Sequence, residues 1–176
     1  LINGRVLILA LDDFGQDTKL KNLVVALFLD QYKDYMSSFT QDEVQDELRV
    51  INSLLIIDEA LNILPYKFPT LEAILREGRS FGVGTALSTQ LVRDFDQGRG
   101  ADAVPFDQLL RSWVIHRVPQ VTPNDLEGRG IAQPNEETCN RIRALNRHEA
   151  YYSSLHFPGR FIRGKAFFEL VQEKNT

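Results

Sequence analysis

The sequence predicts an α/β fold with a mostly parallel sheet flanked by helices, and three observations predict it. The apolar runs at 5–11 (RVLILAL) and 54–57 (LLII) are too short for core helices and read as buried strands, and 83–88 (VGTALS) reads as a third strand. Between them, apolar residues recur three and four apart, which is helical spacing. Strands alternating with helices imply right-handed crossovers and parallel strands, with ligand sites at the strand C-terminal ends.

The elements follow in order. The first strand, 5–11, ends in Asp12 and Asp13. From Lys19 a helix of about five turns places Leu20, Leu23, Val24, Leu27, Phe28, Tyr35, Met36 and Phe39 on one face, toward the sheet. The acidic stretch 41–47, with Asp42, Glu43, Asp46 and Glu47, reads as a solvated loop or a helix start. A second strand, 54–57, rises directly into Asp58-Glu59-Ala60. Pro65 and Pro69 bound a loop, and Thr70 is placed to cap the next helix. Leu71, Ile74 and Leu75 line the inner face of that helix until Gly78 weakens it.

The third strand, 83–88, closes in Thr89 and Gln90, and 97–105, with Gly98 and Gly100, reads as a flexible loop. A fourth strand spans 112–118, with Trp113 and Ile115 on one side. Pro119, Pro123 and Pro134 break the chain around a short helix at 124–127, and 136–147 forms a longer basic helix. A terminal β-hairpin follows, 151–157 and 161–171 around Pro158-Gly159, in which Tyr151, Tyr152 and Phe157 fill the sheet's core rather than stack on bases.

Composition narrows the function classes. A chain of 176 residues fits one α/β domain, 1–176. No apolar run approaches the roughly 18 residues of a membrane span. One cysteine, Cys139, and three scattered histidines give neither a disulfide framework nor a zinc cluster, which predicts a reducing, cytoplasmic setting. The net charge of −4 argues against indiscriminate DNA coating. Yet from Cys139 to Lys165 six basic residues (Arg141, Arg143, Arg147, Arg160, Arg163, Lys165) face one acid, Glu149, so a local basic surface for DNA or a neighbouring subunit is open. The start at Leu1, without a methionine and close to a strand pattern, predicts a piece of a longer protein.

Four apolar residues followed by Asp-Glu form the Walker B pattern. The buried strand holds the first carboxylate where it orients magnesium-bound water, and the second points at the attacking water. The same residues also suit a strand end whose acids cap a following helix.

The longer stretch decides the family expectation. LLIIDEALNILP followed by LEAILREGRSFGVGTALSTQ resembles the Walker B to sensor region of HerA-type helicases, FtsK-type translocases and conjugative coupling proteins, and RVLILALDDF with its helix resembles the elements preceding Walker B in HerA relatives. The resemblance covers most of 5–90 well and the remainder in outline. It implies a RecA-like core of the P-loop NTPase (ASCE) type, incomplete at its N-terminal side, of which 1–176 would be the C-terminal part. It also implies ATP and Mg2+ as cofactors. Residue by residue, Asp58 matches the magnesium-site aspartate, Glu59 the catalytic glutamate, Gln90 a sensor for the γ-phosphate or attacking water, and Arg79 an arginine finger reaching a neighbouring subunit. Arg111 and Arg117 are rivals for that last role.

The family pattern is broken in one place: no phosphate-binding loop precedes Gly4, so the Walker A lysine is expected upstream or on another polypeptide. The run 159–165 (GRFIRGK) has the right glycine and lysine spacing, but Ala166 replaces the magnesium-binding hydroxyl and Phe161 and Ile162 crowd the backbone that would wrap phosphate.

The resemblance therefore implies a piece of an ATP-hydrolysing DNA translocase or helicase, working on double-stranded DNA as a ring of identical subunits, by resemblance a hexamer. DNA repair, conjugation and defence, including phosphorothioate-dependent restriction with a nuclease partner, all fit. A non-catalytic RecA-like scaffold for oligomerisation is the second reading, and an unrelated α/β protein with an acidic strand end is the third.

Overall fold

Helix α1, Thr18–Ser37, opens the regular structure, capped by Asp17, whose carboxylate accepts the Leu20 N–H at 3.0 Å. It is the first element of a computed structural model that describes residues 6–11, 15, 17–38, 50–96, 106–127, 129, 131, 134–155 and 157–165. The chain divides into two units, Leu1–Ser88 and Thr89–Thr176. It is a mixed α/β protein with a small parallel sheet in the first unit and an antiparallel sheet in the second.

In the first unit, α1 buries Val25, Leu29, Tyr32 and Met36. The expected face is corrected here, because Leu20, Leu23 and Leu27 are exposed. The helix is apolar on two sides, and packing chose the side on which the Tyr32 hydroxyl reaches Ser53 Oγ at 2.7 Å. Strands β1, Ser53–Ile57, and β2, Val83–Leu87, pair in parallel, with Leu55 opposite Thr85 and Ile57 opposite Leu87. Leu55 and Ile57 are buried while Leu54 and Ile56 are exposed, as the two-residue period of a strand requires.

The expected strand at 5–11 is also corrected. Residues 6–11 form no strand, and Val6 and Ile8 are 88% and 82% exposed. An apolar run becomes a strand only where a ladder satisfies its backbone, and the described sheet of this unit pairs β1 with β2 alone.

Helix α2, Pro69–Glu77, begins with Pro69 in its first turn, where a missing N–H costs nothing. Leu71 and Ile74 are its buried residues. Thr70 lies inside the helix rather than at its cap, and its hydroxyl donates to Asp30 of α1 at 2.5 Å. A 3-10 turn, Gly78–Phe81, then leads into β2 through Gly82, whose φ of 68° favours glycine. A Cβ at Gly82 would lie 2.6 Å from the Val50 carbonyl oxygen.

In the second unit, the short helices α3, Phe106–Leu109, and α4, Pro123–Leu126, precede helix α5, Glu136–Arg143. Strands β3, Ser112–Ile115, β4, Glu149–Ser154, and β5, Phe157–Arg163, form one antiparallel sheet in the order β3-β4-β5. The predicted fourth strand is thus a member of a separate antiparallel sheet, and among the described residues parallel pairing is confined to β1 and β2. Trp113 and Ile115 are buried side by side, as expected. The ring of Phe95 meets Trp113 edge-on at 5.1 Å between centroids. A capping box between Thr122 and Asp125 starts α4.

The terminal hairpin exists, but its turn falls between Ser154 and Phe157 rather than at Pro158-Gly159. Both residues sit in β5, an edge strand, where proline removes no ladder bond that the sheet needs. Gly159 lies beneath the Tyr151 ring, and a Cβ there would collide with the ring's hydroxyl oxygen. The expectations for Asp12, Asp13, Phe39, 41–47, 97–105 and 166–171 lie outside the described residues.

Candidate functional site: the acidic end of β1

Asp58 and Glu59 stand at the C-terminal end of β1, both exposed to solvent. The strand that carries them is anchored by Leu55 and Ile57 beneath, and by β2 alongside. The ladder continues one step past the paired residues: the Ser88 N–H donates to the Ile57 carbonyl at 3.0 Å, and the Ala60 N–H donates to the Ser88 carbonyl at 2.8 Å. This brings the end of β2 against the acidic pair.

Two donors converge on one oxygen of Asp58. The Ser88 hydroxyl donates to Oδ1 in a short hydrogen bond, and the Glu59 backbone N–H donates to the same oxygen at 3.0 Å. The Ser88 bond first, and the Glu59 amide second, hold the Asp58 carboxyl below the usual carboxylate range. Asp58 therefore stays ionised at neutral pH, as a cation site requires. Because folding depresses its pKa, the Asp58 carboxylate contributes stability that is present above the unfolded pKa and is lost as pH falls through the folded value. Replacing Ser88 with alanine is expected to raise the Asp58 pKa toward its ordinary value, read from the side-chain carboxyl resonance in an NMR titration. An unmoved titration would remove Ser88 as the cause.

Glu59 occupies the left-handed region, φ 50° and ψ 46°. For a residue with a side chain this conformation costs about 1–3 kcal/mol, and such strain clusters at functional sites. The Glu59 carboxylate accepts from the Asn62 amide at 3.2 Å. Neither acid caps the 3-10 turn Ala60–Asn62 that follows: Glu59 is its N-cap residue and makes no side-chain capping bond, and the Asp58 carboxylate is turned back to the N–H of its immediate neighbour. The helix-capping reading of the Asp-Glu pair therefore has no support in the geometry.

The donor set suits a hard divalent cation that keeps most of its waters and takes one or two carboxylates. Oδ2 of Asp58 makes no hydrogen bond among the described residues. Also among the described residues, no group of three or more His, Cys, Asp or Glu forms a dedicated metal cage.

The remaining predicted residues are placed separately. Arg79 is exposed on the 3-10 turn that enters β2, at the opposite end of the parallel pair from Asp58 and Glu59. The five residues of β2 put roughly 15 Å between those ends, at about 3.3 Å per residue. The fold does not bring Arg79 to the acidic pair of its own chain. Gln90 follows Ser88 by two residues and is exposed in the second unit, as are Arg111 before β3 and Arg117 after it.

Sequence reasoning missed Ser88 and Asn62. The signal for Ser88 was available: read in parallel register, the residue after Leu87 falls beside the residue after Ile57. Asn62 had no comparable signal, because its contact depends on the left-handed turn at Glu59. Across the described residues no helix is long and apolar enough to cross a membrane. Against models of known protein families the chain finds no match. No curated protein matches it either.

Proposed function

We propose that this chain is part of an ATP-hydrolysing DNA translocase or helicase motor that works as a ring, for which it supplies the magnesium and water half of the active site. The observation that carries the reading is an ionised aspartate followed by a strained glutamate at the C-terminal end of a parallel strand, with a hydroxyl from the neighbouring strand on the aspartate. This is where α/β sheets place their ligands. Asp58 would hold a magnesium ion through its water shell, and Glu59 would orient the attacking water and accept its proton. When bound, magnesium would neutralise charge on the nucleotide phosphates.

In this reading Gln90 would serve as the sensor for the γ-phosphate or the attacking water. The placement of Arg79 at the far end of the β1–β2 pair favours service to a neighbouring subunit over service to its own. The phosphate-binding loop comes from outside these 176 residues, since the only run with its glycine and lysine spacing lacks the hydroxyl residue at Ala166. ATP and Mg2+ are the cofactors, double-stranded DNA the track, and a nuclease or defence component a compatible partner.

Manganese, a spectroscopic substitute for magnesium, tests the site directly. Paramagnetic broadening of backbone amides in the full chain is expected to centre on Asp58, Glu59 and Ser88, and Asp58→Asn is expected to abolish it. Broadening centred elsewhere, or unaffected by Asp58→Asn, would overturn the assignment.

A further inference from the structure

The three-stranded sheet of the second unit has two unlike faces. On one, Trp113, Ile115, Tyr151 and Ser153 are buried. There Arg141 of α5 lies 3.8 Å from the Phe161 ring centroid. On the other, the strand register places Val114, Tyr152 and Arg160 in one row across the strands and, past an irregularity between Tyr152 and Ser154, Ser112, Ser154 and Phe157 in the next. This second face is open around Val114, Arg160 and Phe157, while Ser154 is buried. Val114 is 57% and Phe157 64% exposed, Arg160 is exposed and Tyr152 half-buried. Two aromatic side chains that the sequence assigns to the core are thus at least partly presented to solvent.

We propose that this face is a stacking platform for single-stranded nucleic acid, with Tyr152 and Phe157 taking bases and Arg160 a phosphate. Charge complementarity names the occupant. The two rows contain no carboxylate, and Arg160 stands exposed directly opposite Tyr152, so the only charge in these rows is positive.

Spacing selects a single strand. Phe157 lies one strand over and two residues along from Tyr152, about 8 Å away given a rise near 3.4 Å and a strand separation near 4.8 Å. That is more than twice the roughly 3.4 Å between stacked bases of a duplex. Bases reaching both rings must be splayed apart, which single strands allow and duplexes resist. The proposal uses none of Asp58, Glu59, Arg79 or Gln90 and stands independently of the nucleotide reading.

The test is fluorescence anisotropy of the 176-residue chain with a labelled strand of about a dozen thymidines, a length within the site sizes of single-strand binders. The matching uridine strand distinguishes DNA from RNA, and a duplex of equal length is the control. The single strand is expected to bind more tightly than the duplex. Tyr152→Ala and Phe157→Ala are each expected to weaken it by about fivefold to a hundredfold, the range of one lost base stack, and Tyr152→Phe to retain it. Arg160→Gln is expected to lower the slope of log affinity against log salt by about 0.7, one phosphate contact on a single strand. Trp113 is buried on the opposite face, so its native emission shows that each variant is folded. Equal binding by folded Tyr152→Ala, equal or tighter binding of the duplex, or no binding of either strand would overturn the proposal. Self-association that Phe157→Ala abolishes, without oligonucleotide binding, would reassign the face to contact between copies of the chain.

Discussion

Replacing Glu59 with glutamine is expected to reduce ATP hydrolysis by about 10²–10⁴-fold, the range that a positioned general base contributes, while nucleotide binding persists. The measurement belongs in the protein that joins this chain to a phosphate-binding loop, with steady-state turnover and nucleotide affinity read separately. Glutamine keeps the shape of the side chain and an oxygen that still accepts from Asn62, so the left-handed turn at Glu59 has no reason to relax. What it removes is the charge and the basic lone pair needed to take a proton from water. Loss of turnover with affinity retained is the outcome of the proposed mechanism. Turnover that survives the substitution would remove Glu59 from the chemistry and leave the acidic strand end as a cation site only. A parallel loss of affinity and turnover would indicate that the substitution had disturbed the strand end itself.

Replacing Asp96 with alanine is expected to destabilise the second unit by about 3–5 kcal/mol, the cost of stranding a buried charge. Arg129 is 1% exposed, its ion pair with Asp96 spans 2.6 Å, and its guanidinium lies 5.4 Å from the Trp113 ring centroid. The same side chain donates to the backbone carbonyls of Asp125 and Glu127, which ties α4 to the segment around Val92. Its Nε has no partner among the described residues, so the site already carries one unsatisfied donor before the carboxylate is taken away. Urea unfolding followed by Trp113 fluorescence reads the loss, because Trp113 reports this cluster. A change below about 1 kcal/mol, the scale of an exposed pair, would show that solvent reaches the guanidinium. Replacing Arg129 with methionine separates the two sources of cost, since it removes the buried charge together with its partner's role.

Strands β1 and β2 were legible because an apolar run bounded by polar residues has few uses other than a buried strand. The acidic pair was legible for the same reason: a motif written on consecutive residues survives without knowledge of what lies opposite. Helix α1 was legible as a helix and illegible as a surface, since leucines and aromatics occur around most of its circumference and only packing selects Val25, Leu29, Tyr32 and Met36. The run 6–11 has strand composition and no ladder. The hairpin was legible and its turn was not, because Pro158 and Gly159 are turn residues by propensity that here serve an edge strand and a close approach by Tyr151.

By itself the sequence determined most element types, the run 6–11 being the exception, together with the acidic end of β1 and the family expectation, since these rest on local spacing and on residues adjacent in the chain. Only the tertiary structure decided that Ser88 holds Asp58, that Asn62 meets Glu59, that Arg79 lies at the far end of the sheet, and that Tyr152 and Phe157 face outward. Each of these depends on which strand lies beside which and in what register. A register shift of one residue turns every side chain to the other face, and no local pattern carries that information.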